Sequence, residues 1–175
     1  QYSSGEFRVE EFRLPVLEGR IAPQAGQALV NVKSVPTQLQ VSYVSGGGAA
    51  NLPVRVSASV RDKFLSFRDF DGFSFQPPRA DGAPGNEEGE EEAAALQDQR
   101  VIADKLPITL DRNGAGALTI EQVPTAPQPQ ELLLEASYAD PNGEVQTLRS
   151  VSTVWPANVI AGIKTEGWVS ASQKI

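Results

Sequence analysis

Cysteine, methionine and histidine are all absent from the 175 residues. Without cysteine there is no disulfide, no thiol nucleophile and no thiolate ligand for zinc. Without histidine the commonest general base and the imidazole metal ligand go too. A cysteine-free chain does not depend on a redox compartment, so its absence fixes none. No run approaches the roughly 18 consecutive apolar residues of a membrane span. No signal-peptide pattern is present, so if the parent protein is exported this is expected to be an internal or processed piece of it. Clustered Lys and Arg are also missing. The net charge is −7, and residues 77–100 account for −5 of it through Asp81, Glu87, Glu88, Glu90, Glu91, Glu92 and Asp98 against Arg79 and Arg100. That distribution excludes the basic footprint of a nucleic-acid surface.

What the chain does have is 40% hydrophobic residues, 13 Pro and 15 Gly, which suits many short strands and turns in one domain with appendages. Its organising stretch is Leu39 to Val60. Leu39, Val41 and Tyr43 alternate with Gln38, Gln40 and Ser42; Val54, Val56, Ala58 and Val60 alternate with Arg55, Ser57, Ser59 and Arg61. Period-2 alternation on both sides of Gly46–Gly48 predicts a hairpin of two antiparallel strands. The glycines supply the positive φ that the connection needs. A second sheet must cover the two apolar stripes.

Elsewhere, Phe7–Leu14 is strand-like up to Pro15, Val16–Ile21 resumes extended, and Leu29–Val35 predicts a short edge segment. Phe64, Phe67, Phe70, Phe73 and Phe75 fall within twelve residues. They predict rings laid across one end of the fold, with Phe73 and Phe75 on a strand. Pro77 to about Ala103 is acidic and nearly free of large apolar groups, and predicts a mobile insertion. Leu106, Ile108 and Leu110, the turn cluster 111–116, and Leu118 with Ile120 give two further strands. After the stiff Pro124–Pro129 connection, Leu132, Leu134, Ala136 and Tyr138 share one face. Asp140–Gly143 is a turn, and Glu144–Trp155 closes the fold. The fold class expected is all-β, a seven-stranded antiparallel β-sandwich with a long acidic insertion.

Few residues suggest chemistry. Gly46–Gly48 lacks the Lys-Ser/Thr and the helix of a phosphate loop. Asp69–Gly72 and Asp111–Gly114 begin but do not complete a calcium loop, so turn chemistry accounts for them. Glu135 with Asp140 could be drawn as a glycosidase pair, but solvated carboxylates on a strand's wet face are far commoner. Trp155, Trp168 and Tyr43 could stack on sugars, but Trp155 beside Pro156 suits a domain junction better. No catalytic, cofactor or metal residue is assigned, and the chain is read as no enzyme.

The two ends repeat a pattern. FRLPVLEGRI (12–21) and TVWPANVIAGI (153–163) each run from a strand through proline into a second extended segment. This predicts a string of similar domains: 1–14 a lead-in continuing from a preceding one, 15–156 the sandwich with its insert at about 77–103, and 157–175 opening a following one or forming a C-terminal extension. The blocks VEEFRLP (9–15), YVSGGGAANLPV (43–54), ELLLEASYADPNGEVQT (131–147) and VWPANVIAGIKTEGW (154–168) resemble the macroglobulin-like domains of bacterial α2-macroglobulins, relatives of animal protease-trapping inhibitors. The resemblance implies a scaffold domain of an exported, periplasmic protease inhibitor whose chain could be membrane-anchored elsewhere. It implies neighbouring domains of the same chain as partners, target proteases met through the full-length protein, and other periplasmic cell-envelope proteins as further candidates. Some relatives carry a cysteine-containing thioester, which this chain cannot contain. The bait region cleaved by proteases lies in another domain, so a lure role for the acidic insert is a lesser expectation. A secreted carbohydrate-binding or adhesin sandwich is the alternative. Limited proteolysis is expected to nick first between Pro77 and Arg100.

Overall fold

In most of the long strands, alternate side chains turn toward one shared core, and that core separates two sheets. The computed structural model describes residues 16–24, 28–75 and 99–164. The strands are β1 (Leu17–Pro23), β2 (Leu29–Val30), β3 (Val35–Tyr43), β4 (Pro53–Asp62), β5 (Arg100–Thr109), β6 (Ala115–Ile120), β7 (Gln130–Ala139) and β8 (Val145–Trp155). One sheet has the order β1-β3-β6 and the other β2-β8-β7-β4-β5. Two packed sheets without helices among the described residues are the all-β sandwich expected, with eight strands described where seven were expected. The Leu29–Val35 segment adds the two-residue edge strand β2, which pairs with β8 in parallel. Leu17, Ile21, Val35, Leu39, Val41 and Ile120 of the smaller sheet pack with Val54, Val56, Val60, Leu132, Leu134 and Tyr138 of the larger one.

The expected hairpin over 39–60 is corrected. Both strands form, but β3 pairs with β1 and β6, while β4 pairs with β5 and β7. The connection at 44–52 therefore crosses from one sheet to the other. Laid side by side, the two stripes would both still need a cover; in opposite layers they cover each other. β5 and β6 are joined the same way across residues 110–114. By contrast β7 and β8 form a true hairpin in register from Gln130↔Val154 to Ala139↔Val145.

The two crossovers lie back to back. Val41 donates its N–H to the Gly114 carbonyl at 2.9 Å, and Ala49 donates to the Val41 carbonyl at 3.0 Å. Gly46 and Gly47 have positive φ, 105° and 89°, as their loop predicted. Gly48 serves another purpose: a Cβ there would stand 2.0 Å from the Asn113 carbonyl oxygen.

Two further expectations are corrected. The acidic insertion ends earlier than Ala103, because β5 begins at Arg100 and Val101 already pairs with Ser59. The register shifts twice along this pair, and Lys105 takes φ 49°, which breaks the alternation by which the strand would be recognised. Phe73 and Phe75 lie on no strand; Ser74 makes a lone bridge to Ile163. Finally, the Phe7–Leu14 strand, Pro15, Trp168 and most of the acidic insert lie outside the described residues.

Candidate interaction surfaces

The wet side of the larger sheet carries the densest side-chain network. Arg55, Ser57, Ser59 and Arg61 of β4 stand opposite Ser137, Glu135, Leu133 and Glu131 of β7. Arg61 donates to Glu131 through Nε at 2.8 Å, and Lys63 approaches the same carboxylate at 3.6 Å while donating to Thr153 at 2.9 Å. The Arg61 hydrogen bond holds the Glu131 carboxyl below the usual carboxylate value; burial opposes it, and the charges of Arg61 and Lys63 add to it. Arg149 donates to Glu135 at 2.6 Å. Between these ion pairs lies an apolar strip of Leu133 and Val151, with Val101 exposed further along. Gln99 closes one end by donating to the Ser59 hydroxyl at 2.6 Å. A depression of about 120 Å³ there is lined by Ser59, Arg61, Gln99, Glu131, Leu133 and Val151 among others.

The outer face of the smaller sheet is different in kind. Arg20, Gln38 and Gln40 surround Ala22, Ala115 and Ala117 in a shallow hollow of about 500 Å³. Alanines of β1 and β6 flank the glutamines of the central β3, with Arg20 and Asp111 also on the lining, and leave a shallow shelf able to accept another protein surface.

The third surface is the phenylalanine segment at the end of the sandwich beyond Asp62 and Trp155. Phe67, Phe70, Phe73 and Phe75, with Ile160 and Gly162, line a groove of about 350 Å³. The expected rings across one end of the fold are there. Their partners in the Val159–Ile163 stretch were not singled out in the sequence, although the apolar run after Pro156 was the available signal. Leu133 was missed likewise: the unbroken run Leu132-Leu133-Leu134 puts one leucine on the wet face.

The carboxylates weighed for chemistry are engaged locally. Asp111 accepts backbone N–H groups from Asn113 at 2.7 Å and Ala115 at 2.9 Å, which lower its carboxyl. Asp140 accepts from the backbone of Asn142 at 2.8 Å and Glu144 at 2.9 Å. Glu135 is held by Arg149. These are Asx-type turns and a cross-strand pair. Burial, then the Asp140 charge, pushes the Tyr138 phenol up. The aromatics considered for sugar stacking are not brought together: Tyr43 ends β3 beside Gly47, whereas Trp155 ends β8 beside Asn31. Those ends are a β4 length apart, roughly 30 Å.

Two packed sheets with an aromatic end and self-satisfied turns define an all-β sandwich module. Its fold is that of a segment of the bacterial α2-macroglobulins. The native Escherichia coli α2-macroglobulin seen by cryo-EM superposes with a TM-score of 0.65 and 20% identity, over 90% of this chain and 9% of that one. Salmonella α2-macroglobulin reacted with methylamine gives 0.65 and 20%, over 89% and 9%. E. coli α2-macroglobulin activated by porcine elastase gives 0.63 and 19%, over 87% and 12%. The chain thus spans about a tenth of the length of the structures it resembles. No family model and no curated protein sequence matches it.

Proposed function

We propose that this chain is a macroglobulin-like scaffold module of a bacterial α2-macroglobulin-type protease inhibitor. One observation carries the reading: likeness over 90% of this chain to a small part of a much longer bacterial chain. The surfaces agree with it. Exposed aliphatic and aromatic strips rimmed by ion pairs suit contact with neighbouring domains. The proposed contribution is mechanical: a stiff unit that keeps adjacent domains in place and moves as a body when the trap rearranges. Target proteases would be met by the full-length protein, in the periplasm, and the module itself is not an enzyme.

The test compares the full-length protein with the isolated 175 residues, using elastase as the protease. The full-length protein should retain elastase; the isolated module should neither inhibit it nor hydrolyse protein or glycan substrates. Inhibition or hydrolysis by the isolated module would overturn the scaffold reading.

A further inference from the structure

The phenylalanine groove is open to solvent. Phe67 is 40% exposed, Phe70 51% and Phe73 39%. Apolar surface gathered in one place on a soluble domain marks a contact. The groove is also firmly built. Ser74 and Ile163 exchange backbone hydrogen bonds, each 2.8 Å. Phe67 and Phe75 meet edge to face at 4.8 Å. Gly162 lets the Phe75 ring approach so closely that a Cβ would lie 2.5 Å from a ring carbon. Lys164 sits on the rim, its ammonium 5.7 Å from the centre of the Phe73 ring.

Three stretches of this chain outside the described residues could cover the groove. Residues 76–98 start beside Phe75 but carry a single large apolar residue, Leu96, among seven acids. Residues 1–15 hold Phe7 and Phe12 but join at Val16, whose carbonyl accepts from Val44 at the far end of the sandwich. Residues 165–175 start at the rim itself. They carry Trp168, Val169 and Ile175, with only Glu166 and Lys174 charged. Four residues beyond Lys164, Trp168 has a reach of roughly 13 Å. A tether this short sets an effective concentration of about millimolar, so a modest intrinsic affinity suffices.

We propose that residues 165–175 dock into the phenylalanine groove with Trp168 as the anchor. Docking fixes the direction in which the polypeptide leaves the sandwich. Within the scaffold reading this makes the groove an inter-domain joint, but the docking itself does not depend on that reading, and elastase retention does not report on it.

Fluorescence of the 175-residue chain tests the docking. Trp155→Phe leaves Trp168 as the sole indole; the same spectrum follows from subtracting Trp168→Phe from the unmodified chain. Trp168 should emit to the blue of a free 165–175 peptide and be quenched several-fold less by acrylamide. Phe70→Ala or Ile160→Asp should each restore peptide-like emission and quenching, with the sandwich's circular dichroism unchanged. Peptide-like behaviour in the Trp155→Phe chain would overturn the proposal. Protection that survives both groove variants would do the same by placing the indole elsewhere, and protection lost on dilution would assign it to a second copy.

Discussion

Replacing Gly114 with alanine probes the place where the two inter-sheet crossovers touch. Gly114 has φ 75°, and a Cβ there would stand 2.1 Å from the Val41 carbonyl oxygen and 2.6 Å from the Ala49 nitrogen. Positive φ costs an alanine about 1–2 kcal/mol. Real Cβ contacts essentially never fall below 3.0 Å, so the loops must part by about an ångström, an overpacking strain of about 1–3 kcal/mol. Parting stretches the hydrogen bonds from Val41 to Gly114 and from Ala49 to Val41, each worth about 1 kcal/mol. The dihedral and overpacking costs alone sum to about 2–5 kcal/mol, with the stretched hydrogen bonds adding to them, a large share of the 5–15 kcal/mol typical of a domain.

Two companions separate these contributions. Gly143 has φ 83° with nothing within 4 Å of its Cβ position, so Gly143→Ala carries the dihedral cost alone, about 1–2 kcal/mol. Gly48 lies outside the positive-φ region but would put a Cβ 2.0 Å from the Asn113 carbonyl oxygen, so Gly48→Ala carries mainly the collision. Urea titration followed by circular dichroism should rank Gly114 worst, with a midpoint about 1 M below that of Gly143→Ala at the usual denaturant slopes. Equal midpoints for all three variants would mean that the crossovers do not touch, and the two-sheet topology would fail with them.

Neighbouring leucines of β7 should respond in opposite ways. Leu134→Ala, fully buried, should lose about 2–5 kcal/mol in urea titration, whereas Leu133→Ala on the outer face should lose about 1 kcal/mol or less. Asp140→Ala should cost about 1–3 kcal/mol in the same assay by leaving the Asn142 and Glu144 N–H groups without their acceptor. Glu131 gives an acid-sensitive contribution. Its folded carboxyl titrates below its unfolded value, so the stabilisation is complete above the unfolded pKa of about 4.3 and fades as pH falls through the lower folded one. The urea midpoint of Glu131→Gln should therefore differ from that of the unmodified chain by a constant amount above about pH 5 and converge with it in stronger acid. With the pair partly exposed, the difference stays within about 1 kcal/mol.

The strands were legible where alternation was clean. Leu132, Leu134, Ala136 and Tyr138 are all buried on one face, as their spacing implied. The partner of each strand was harder to read, because periodicity states which side chains face inward and nothing about which layer a strand joins. Residues 39–60 show this: both stripes were seen, yet the nine-residue connection sends them to opposite sheets. The start of β5 was hidden for a local reason. Its bulges and the left-handed Lys105 interrupt the period over Val101–Leu106. The phenylalanines announced an aromatic end, but only the Ser74–Ile163 bridge shows that the segment after Trp155 returns to complete it.

The turns and strand pairs that make the fold regular also engage four of its carboxylates. Asp111 and Asp140 direct their carboxylates onto backbone N–H groups of their own loops, and Glu131 and Glu135 are tied to arginines across the sheet. Groups committed in this way stiffen the connections. The larger sheet offers Val151 and Val101 to solvent beside the half-buried Leu133, and the sandwich end offers phenylalanine rings. Such surfaces are made favourable by area and shape, with aromatic anchors dominating. On the proposed scaffold reading, the apolar strips left outside the core are where neighbouring domains would hold the sandwich.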